Sequence, residues 1–215
     1  MNRIGFLVPS TNLTVEYEIQ YLYFHKYFDI DKLSIYTEKL ESSISYTENK
    51  LRFLENIYLD AFEKKKHLDK LGVSKSYFLC TSASCLHFNE MENILSASEC
   101  LTMYAKRRKI KKCLLITPYN QLIAENVIRI FEKSGINVKR NLNLDLCNSA
   151  HYFEFGKNKL SQYIEENYKT TDGDIIISCT NLPTIHFINT LEKKIKAKII
   201  SSNSSIYGII KQSII

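Results

Sequence analysis

Residues 77–84 read YFLCTSAS and residues 175–182 read IIISCTNL. In each, an apolar run ends on a cysteine, then a threonine, then a small polar side chain: Cys80-Thr81-Ser82 and Cys179-Thr180-Asn181. A short apolar run that stops at small polar residues is the pattern of a buried strand reaching the edge of its sheet. Two such strands ending on one dipeptide, nearly a hundred residues apart, point to an internal repeat.

The flanking sequence has the same organisation. Candidate strands lie at 3–9, 32–37, 76–80, 112–118, 136–144, 174–179 and 197–202. Between them run amphipathic stretches. Within 48–68, Leu51, Leu54, Tyr58, Ala61 and Phe62 share one face at helical spacing, with Glu55, Lys64 and Lys65 off it. Within 120–134, Leu122, Ile123, Val127, Ile130 and Phe131 form a similar stripe. Strand–helix alternation implies parallel sheets covered by helices on both faces. The order recurs: 71 residues separate Pro9 from Cys80, and 61 separate Pro118 from Cys179, each pair marking the ends of a first and a third strand.

The expected fold is therefore α/β, with two pseudo-symmetric Rossmann-like lobes. The first lobe comprises 1–106 plus 205–215, with the apolar C-terminal helix SSIYGIIKQSII packed back on it; the second comprises 107–204. Ligands of open parallel sheets bind beyond the carboxyl ends of the strands. Pro9-Ser10, Cys80-Thr81, Pro118-Tyr119 and Cys179-Thr180 are accordingly expected to meet in the cleft between the lobes.

Composition narrows the chemistry. The net charge is +6, but its lysines sit among acids in stretches such as FEKKKHLDKL (62–71), the pattern of a solvated helix face, so no nucleic-acid partner is expected. No segment reaches the roughly 20 apolar residues of a membrane span, and IGFLVP is too short for a signal-peptide core. The chain reads as cytoplasmic and not bound to a membrane. Its six cysteines are then expected to be reduced. They form no C-x-x-C pair, and the Cys80/Cys85 spacing is no usual zinc arrangement, so no metal is expected. There is no G-x-G-x-x-G fingerprint, P-loop or Schiff-base lysine motif, and no cofactor is expected.

A thiol where a strand feeds a helix is expected to lean towards thiolate, because the helix dipole and free amides favour the anion. Two such thiols on opposite walls of a cleft can act on both faces of one planar carbon, one adding or taking a proton and the other delivering a proton. Racemisation and cis–trans isomerisation both fit. Ser10, Thr11 and Asn12, Thr81, Ser82 and Ser84, Thr180 and Asn181, and SSNSS at 201–205 supply the hydroxyls and amides of a carboxylate nest. The expected substrate is a small carboxylate or dicarboxylate. Cys85, Cys100, Cys113 and Cys147 read as fillers. His87 and His186, each seven residues past its cysteine, read as structural.

IGFLVPSTNLTVEYE, FLCTSAS, LLITPYN, IIISCTNLPTI and IISSNSSIYGII together resemble, in order and over nearly the whole chain, the motifs of maleate cis–trans isomerases. That family lies in the aspartate/glutamate racemase superfamily, which also includes arylmalonate decarboxylase. The resemblance implies two α/β lobes with the active site between them, and no cofactor. It implies Cys80 as a nucleophile that adds to the double bond, and Cys179 as acid/base. Asn12 and Tyr119 would hold substrate carboxylates, as would Asn148 in DLCNSA. Backbone amides near Ser10, Thr81, Ser82, Thr180 and Asn181 would complete the pockets. Relatives commonly associate, so a homo-oligomer is a further expectation. Two departures stand out: the chain is shorter than typical isomerases, and CTSAS lacks a glycine that often follows TS. Keeping both cysteines argues against a decarboxylase. It leaves open an amino-acid racemase or a non-catalytic carboxylate-binding relative.

Overall fold

The computed structural model describes residues 1–214. Each half of the chain builds a four-stranded, all-parallel sheet. The first contains β1 (Asn2–Pro9), β2 (Leu33–Leu40), β3 (Lys75–Phe78) and β4 (Ile94–Ser96) in the order β2-β1-β3-β4. The second contains β5 (Lys112–Thr117), β6 (Asn137–Asn143), β7 (Asp174–Ile177) and β8 (Ile199–Ser201) in the order β6-β5-β7-β8. Counted from the start of each half the two orders are identical. The fold is two pseudo-symmetric α/β lobes.

Helices alternate with the strands. In the first half these are α1 (Val15–Phe24), α2 (Lys50–Lys70), α3 (Thr81–Leu86) and α4 (Ala97–Arg107). In the second they are α5 (Gln121–Lys133), α6 (Ser149–Asn158), α7 (Leu160–Asn167), α8 (Ile188–Ile195) and α9 (Ser202–Ile214). Several starts are set by capping side chains: Asn49, Ser96, Asn120 and Asn148 each accept a backbone N–H of the first turn. At α4, Ser96 and Glu99 form a reciprocal capping box. Among the described residues no helix is long and apolar enough to cross a membrane.

Burial on both faces explains the unbroken apolar strands. In β1, Ile4, Phe6 and Val8 join one core cluster while Leu7 joins the other. The first of these clusters also takes Val15 and Leu22 of α1, and Ala97 and Cys100 of α4. Although α9 follows the last strand of the second sheet, its Ile206, Tyr207 and Ile210 belong to this same cluster.

Two helices are rotated from the expected phase. In α2 the buried face is Phe53, Leu54, Ile57, Tyr58, Ala61 and Leu68, and Leu51 is 46 % exposed. In α5, Ala124 joins the buried stripe and Leu122 is exposed. Both misplaced leucines lie in a first turn, where the helix has just left its loop and the core is not yet beneath it.

The third strand of each sheet stops two residues before its cysteine. One further ladder bond extends each pairing, from Leu79 N to Leu7 O (2.8 Å) and from Ser178 N to Ile116 O (2.9 Å). The residue preceding each cysteine is thus held by the central strand of its sheet. The turn after Cys179 is held from outside by α6, where Gly156 lies against Pro183. A Cβ there would stand 2.6 Å from Pro183 Cδ and 2.9 Å from its backbone nitrogen. Gly156→Ala gains helix propensity but overpacks a backbone contact. We expect a net loss of about 1–2 kcal/mol, read as a lower urea midpoint with an unchanged slope.

Candidate functional site

A half-open pocket lies where the carboxyl ends of the two sheets meet. Pro9, at the end of β1, Cys80, past β3, Tyr119, past β5, and Cys179, past β7, all line it. With them stand Thr11, Asn12, Thr81, Ser82, Thr180 and Asn181. The pocket offers about 50 Å³ of water-accessible space. A single water needs about 10–15 Å³ on that measure, so the pocket is sized for a few waters or a compact small molecule.

The two Cys-Thr pairs hold the halves together. The Thr180 hydroxyl donates to Leu79 O (2.8 Å), the residue before Cys80, and accepts from Asn12 Nδ2 (3.3 Å). In the reverse direction the Thr81 hydroxyl donates to Ser202 Oγ (2.9 Å), at the start of α9. Asn181 Oδ1 accepts from Leu13 N (2.9 Å) and from the Thr14 hydroxyl (3.2 Å). Asn12 Oδ1 meanwhile accepts from Thr14 N (2.9 Å) and Val15 N (3.0 Å), ordering the entry to α1. Several polar residues expected to face a substrate therefore also fix one sheet edge against the other.

Two expected ligands do not reach the pocket. Ser10 is exposed and its hydroxyl donates to Glu41 (3.1 Å), because the residue after Pro9 turns outward over the end of β2. Asn148 is exposed and caps α6 by accepting from His151 N (3.1 Å); its neighbour Ser149 lines the pocket instead. His87 pairs with Glu55 (2.8 Å) and Glu90 (3.0 Å) and stacks on Tyr58, and His186 meets Lys157 O (3.3 Å). Neither histidine lines the pocket.

Tyr46, from the loop after β2, and Tyr152, on α6 after β6, roof the site with their hydroxyls 3.4 Å apart. Phe53 and Leu54 of α2 supply its apolar wall. Neither tyrosine stands out in its local sequence. The repeat itself carries the signal, since both follow the second strand of their half and so come to the same end of the cleft.

The expectation of resting thiolates is corrected by burial. Cys80 does stand at the N-cap position of α3, but that helix has six residues, and Cys179 precedes a turn, with α8 starting only at Ile188. Desolvation raises both thiols above their ordinary value, Cys179 to about 12. Opposing it at Cys80 are the Ala83 and Ser82 amides and the Ser82 hydroxyl, 3.6 Å from the sulfur. At Cys179 the opposing groups are the Tyr119 hydroxyl and the Asn181 amide, 3.3 Å from the sulfur. Burial likewise pushes Tyr119 well above its usual range and Tyr46 up to about 12. No Lys, Arg or His is among the lining residues. At neutral pH the side chains that line the pocket are uncharged and rich in dipoles.

Iodoacetamide at pH 7 should therefore modify the exposed Cys147 well before Cys80 or Cys179. Reactivity of the two pocket thiols should climb from pH 7 to 9 without a plateau, followed residue by residue by peptide mass spectrometry. A plateau below about pH 8.5, the ordinary thiol value, would show that burial is not the controlling influence.

No family model matches the chain. Similarity to individual proteins runs nearly end to end. The maleate isomerase of Alcaligenes faecalis is 21% identical over 221 residues, covering 93% of this chain and 86% of that enzyme. The maleate cis–trans isomerase of Nocardia farcinica, in a cysteine-to-serine variant with a covalently bound succinylcysteine intermediate, superimposes with a TM-score of 0.81 at 16% identity, covering 99% of this chain and 92% of that one. A liganded arylmalonate decarboxylase variant superimposes with a TM-score of 0.76 at 13% identity, covering 100% and 92%. The chain is thus similar in sequence, nearly end to end, to maleate isomerases, and it has the fold seen in maleate isomerases and in arylmalonate decarboxylase.

Proposed function

We propose that the protein is a cofactor-independent cis–trans isomerase of a small unsaturated dicarboxylate of the maleate type. One observation carries this reading: Cys80 and Cys179, at equivalent positions of two repeated halves, open into the same small pocket. The succinylcysteine held by the Nocardia farcinica relative is the adduct such a pair would form.

In the proposed reaction Cys80 is the nucleophile. Its thiol first loses a proton to solvent as the substrate binds. The thiolate adds to one alkene carbon, a C–S bond forms, and the π pair moves to the neighbouring carbon. Cys179 then gives its proton to that carbon, and the former double bond becomes a single bond free to rotate. After rotation the Cys179 thiolate takes the proton back, the C–S bond breaks and the trans alkene leaves. Electrons and protons balance without a redox partner. Tyr119 acts by donating its hydroxyl to the Cys179 sulfur whenever that sulfur is anionic.

The substrate's carboxylates would be met by neutral donors, because no cation lines the pocket. Asn12, Asn181, Ser82, Tyr119 and the Tyr46/Tyr152 roof, all lining the pocket, would meet them. Thr81 and Thr180 would contribute backbone amides, since their hydroxyls are engaged across the interface.

Maleate mixed with the protein should give fumarate, followed by the vinyl proton signals in NMR. Cys80→Ala should abolish turnover, and Cys179→Ala should reduce it by about 10²–10⁴-fold, the usual contribution of a positioned acid/base. Both variants should still bind maleate. Failure of the intact protein to convert maleate, together with exchange of an amino acid's α-hydrogen in deuterated water, would assign the same thiols to racemisation instead.

A further inference from the structure

Behind the Cys179 turn lies a buried carboxyl that the proposed reaction does not use. Glu18, on α1, is 1 % exposed. Its Oε1 accepts two backbone N–H groups from the other half, Thr184 (2.6 Å) and Ile185 (3.0 Å). Asn203 and Tyr207, both on α9 and both buried, face the same carboxyl. Asn203 Nδ2 also donates to Thr180 O (3.1 Å), and the Thr184 hydroxyl meets Ser201 Oγ (2.8 Å). Both ends of the turn that follows Cys179 are thus tied to one cluster: its start through Asn203 and its far end directly to Glu18.

Three buried polar atoms of this cluster have no strict hydrogen-bond partner among the described residues: Glu18 Oε2, Asn203 Oδ1 and Tyr207 Oη. A carboxylate oxygen and an amide oxygen only accept. Tyr207 brings one O–H to these two acceptors, and a proton on Oε2 supplies the second donor. We propose that Glu18 is a positioning residue for Cys179: as a neutral carboxyl it clamps the 180–185 turn to α1, and ionisation favours release of that clamp. The link to turnover rests on the isomerase reading above; the clamp itself does not.

The sign follows from burial. Desolvation raises Glu18 from 4.5 to about 7, so the closed state holds a proton that an opened, hydrated carboxyl releases. Opening therefore becomes easier as pH rises between those values and is independent of pH above the upper one. The titratable group that faces Glu18 is Tyr207, which burial and Glu18 itself keep protonated. The other groups acting on Glu18 are the Thr184 and Ile185 amides and the Asn203 side chain.

Hydrogen exchange at the Thr184 and Ile185 amides, expressed as protection factors at pH 6 and pH 8, tests the clamp without any substrate. In the intact protein protection should fall about tenfold over that interval, and in Glu18→Gln it should stay flat. With maleate, Glu18→Ala should lower kcat by about 10–100-fold, the scale of an ångström-sized misplacement, with KM little changed, and Glu18→Gln should restore most of it. Equal protection at both pH values, or a Gln variant as unprotected as Ala, overturns the proposal. If the intact protein leaves maleate untouched while protection behaves as stated, the isomerase reading fails and the clamp stands. If turnover is present and protection is flat, the clamp fails and the isomerase reading stands.

Discussion

The site depends on a reciprocal pair of hydroxyl bonds. The threonine after each cysteine reaches into the opposite half, Thr180 to the carbonyl of Leu79 and Thr81 to the hydroxyl of Ser202. A buried hydrogen bond contributes only about 0.5–1.5 kcal/mol net, but an orphaned partner costs about 1–3 kcal/mol. These contacts therefore act less by adding stability than by penalising every other register of one sheet edge against the other. Asn181 adds two acceptor contacts to the segment before α1, and through them the cysteine turn of the second half is tied to the entry segment of the first. A valine in place of either threonine would keep the shape and lose the registration.

With the sheet edges fixed, the electrostatics of the pocket follow. Thiols and phenols are buried together with no cation among the lining residues, so each is held protonated by desolvation. A dianion entering such a space is met by dipoles alone. Dipoles fixed in place need no reorganisation when charge moves, and low local dielectric strengthens them. The same burial that makes the resting thiols inert thus also makes each donor count for more once a reacting anion is present.

Much of this was legible in the sequence because the repeat is carried by backbone constraints. The strand–helix alternation, the duplicated Cys-Thr ends and the proline at the close of each first strand all follow from sheets that bury both faces. What was not legible depends on where single side chains turn. Ser10 looked like a ligand by its letter and its place after Pro9, but the chain has turned by then and Glu41 takes its hydroxyl. Asn148 is spent on the start of α6. Tyr46 and Tyr152 sit in segments with no local signal, and only their parallel places in the repeat bring them to one roof. The thiolate expectation failed because a dipole argument made from strand–helix order leaves out desolvation, which is the larger influence here.

The last helix has a consequence for how the protein comes into being. Ile206, Tyr207 and Ile210 of α9 share a cluster with Ile4, Phe6 and Val8 of β1, so the cover that α1 and α4 give that side of the first sheet is completed only once α9 is made. A chain emerging from the ribosome can pair its early strands and add α1 and α4, but part of that apolar face stays open to solvent until α9 has emerged. Nascent chains of this protein thus pass through a stage with part of that face exposed, and a product that stops before α9 keeps the gap that Ile206, Tyr207 and Ile210 would fill.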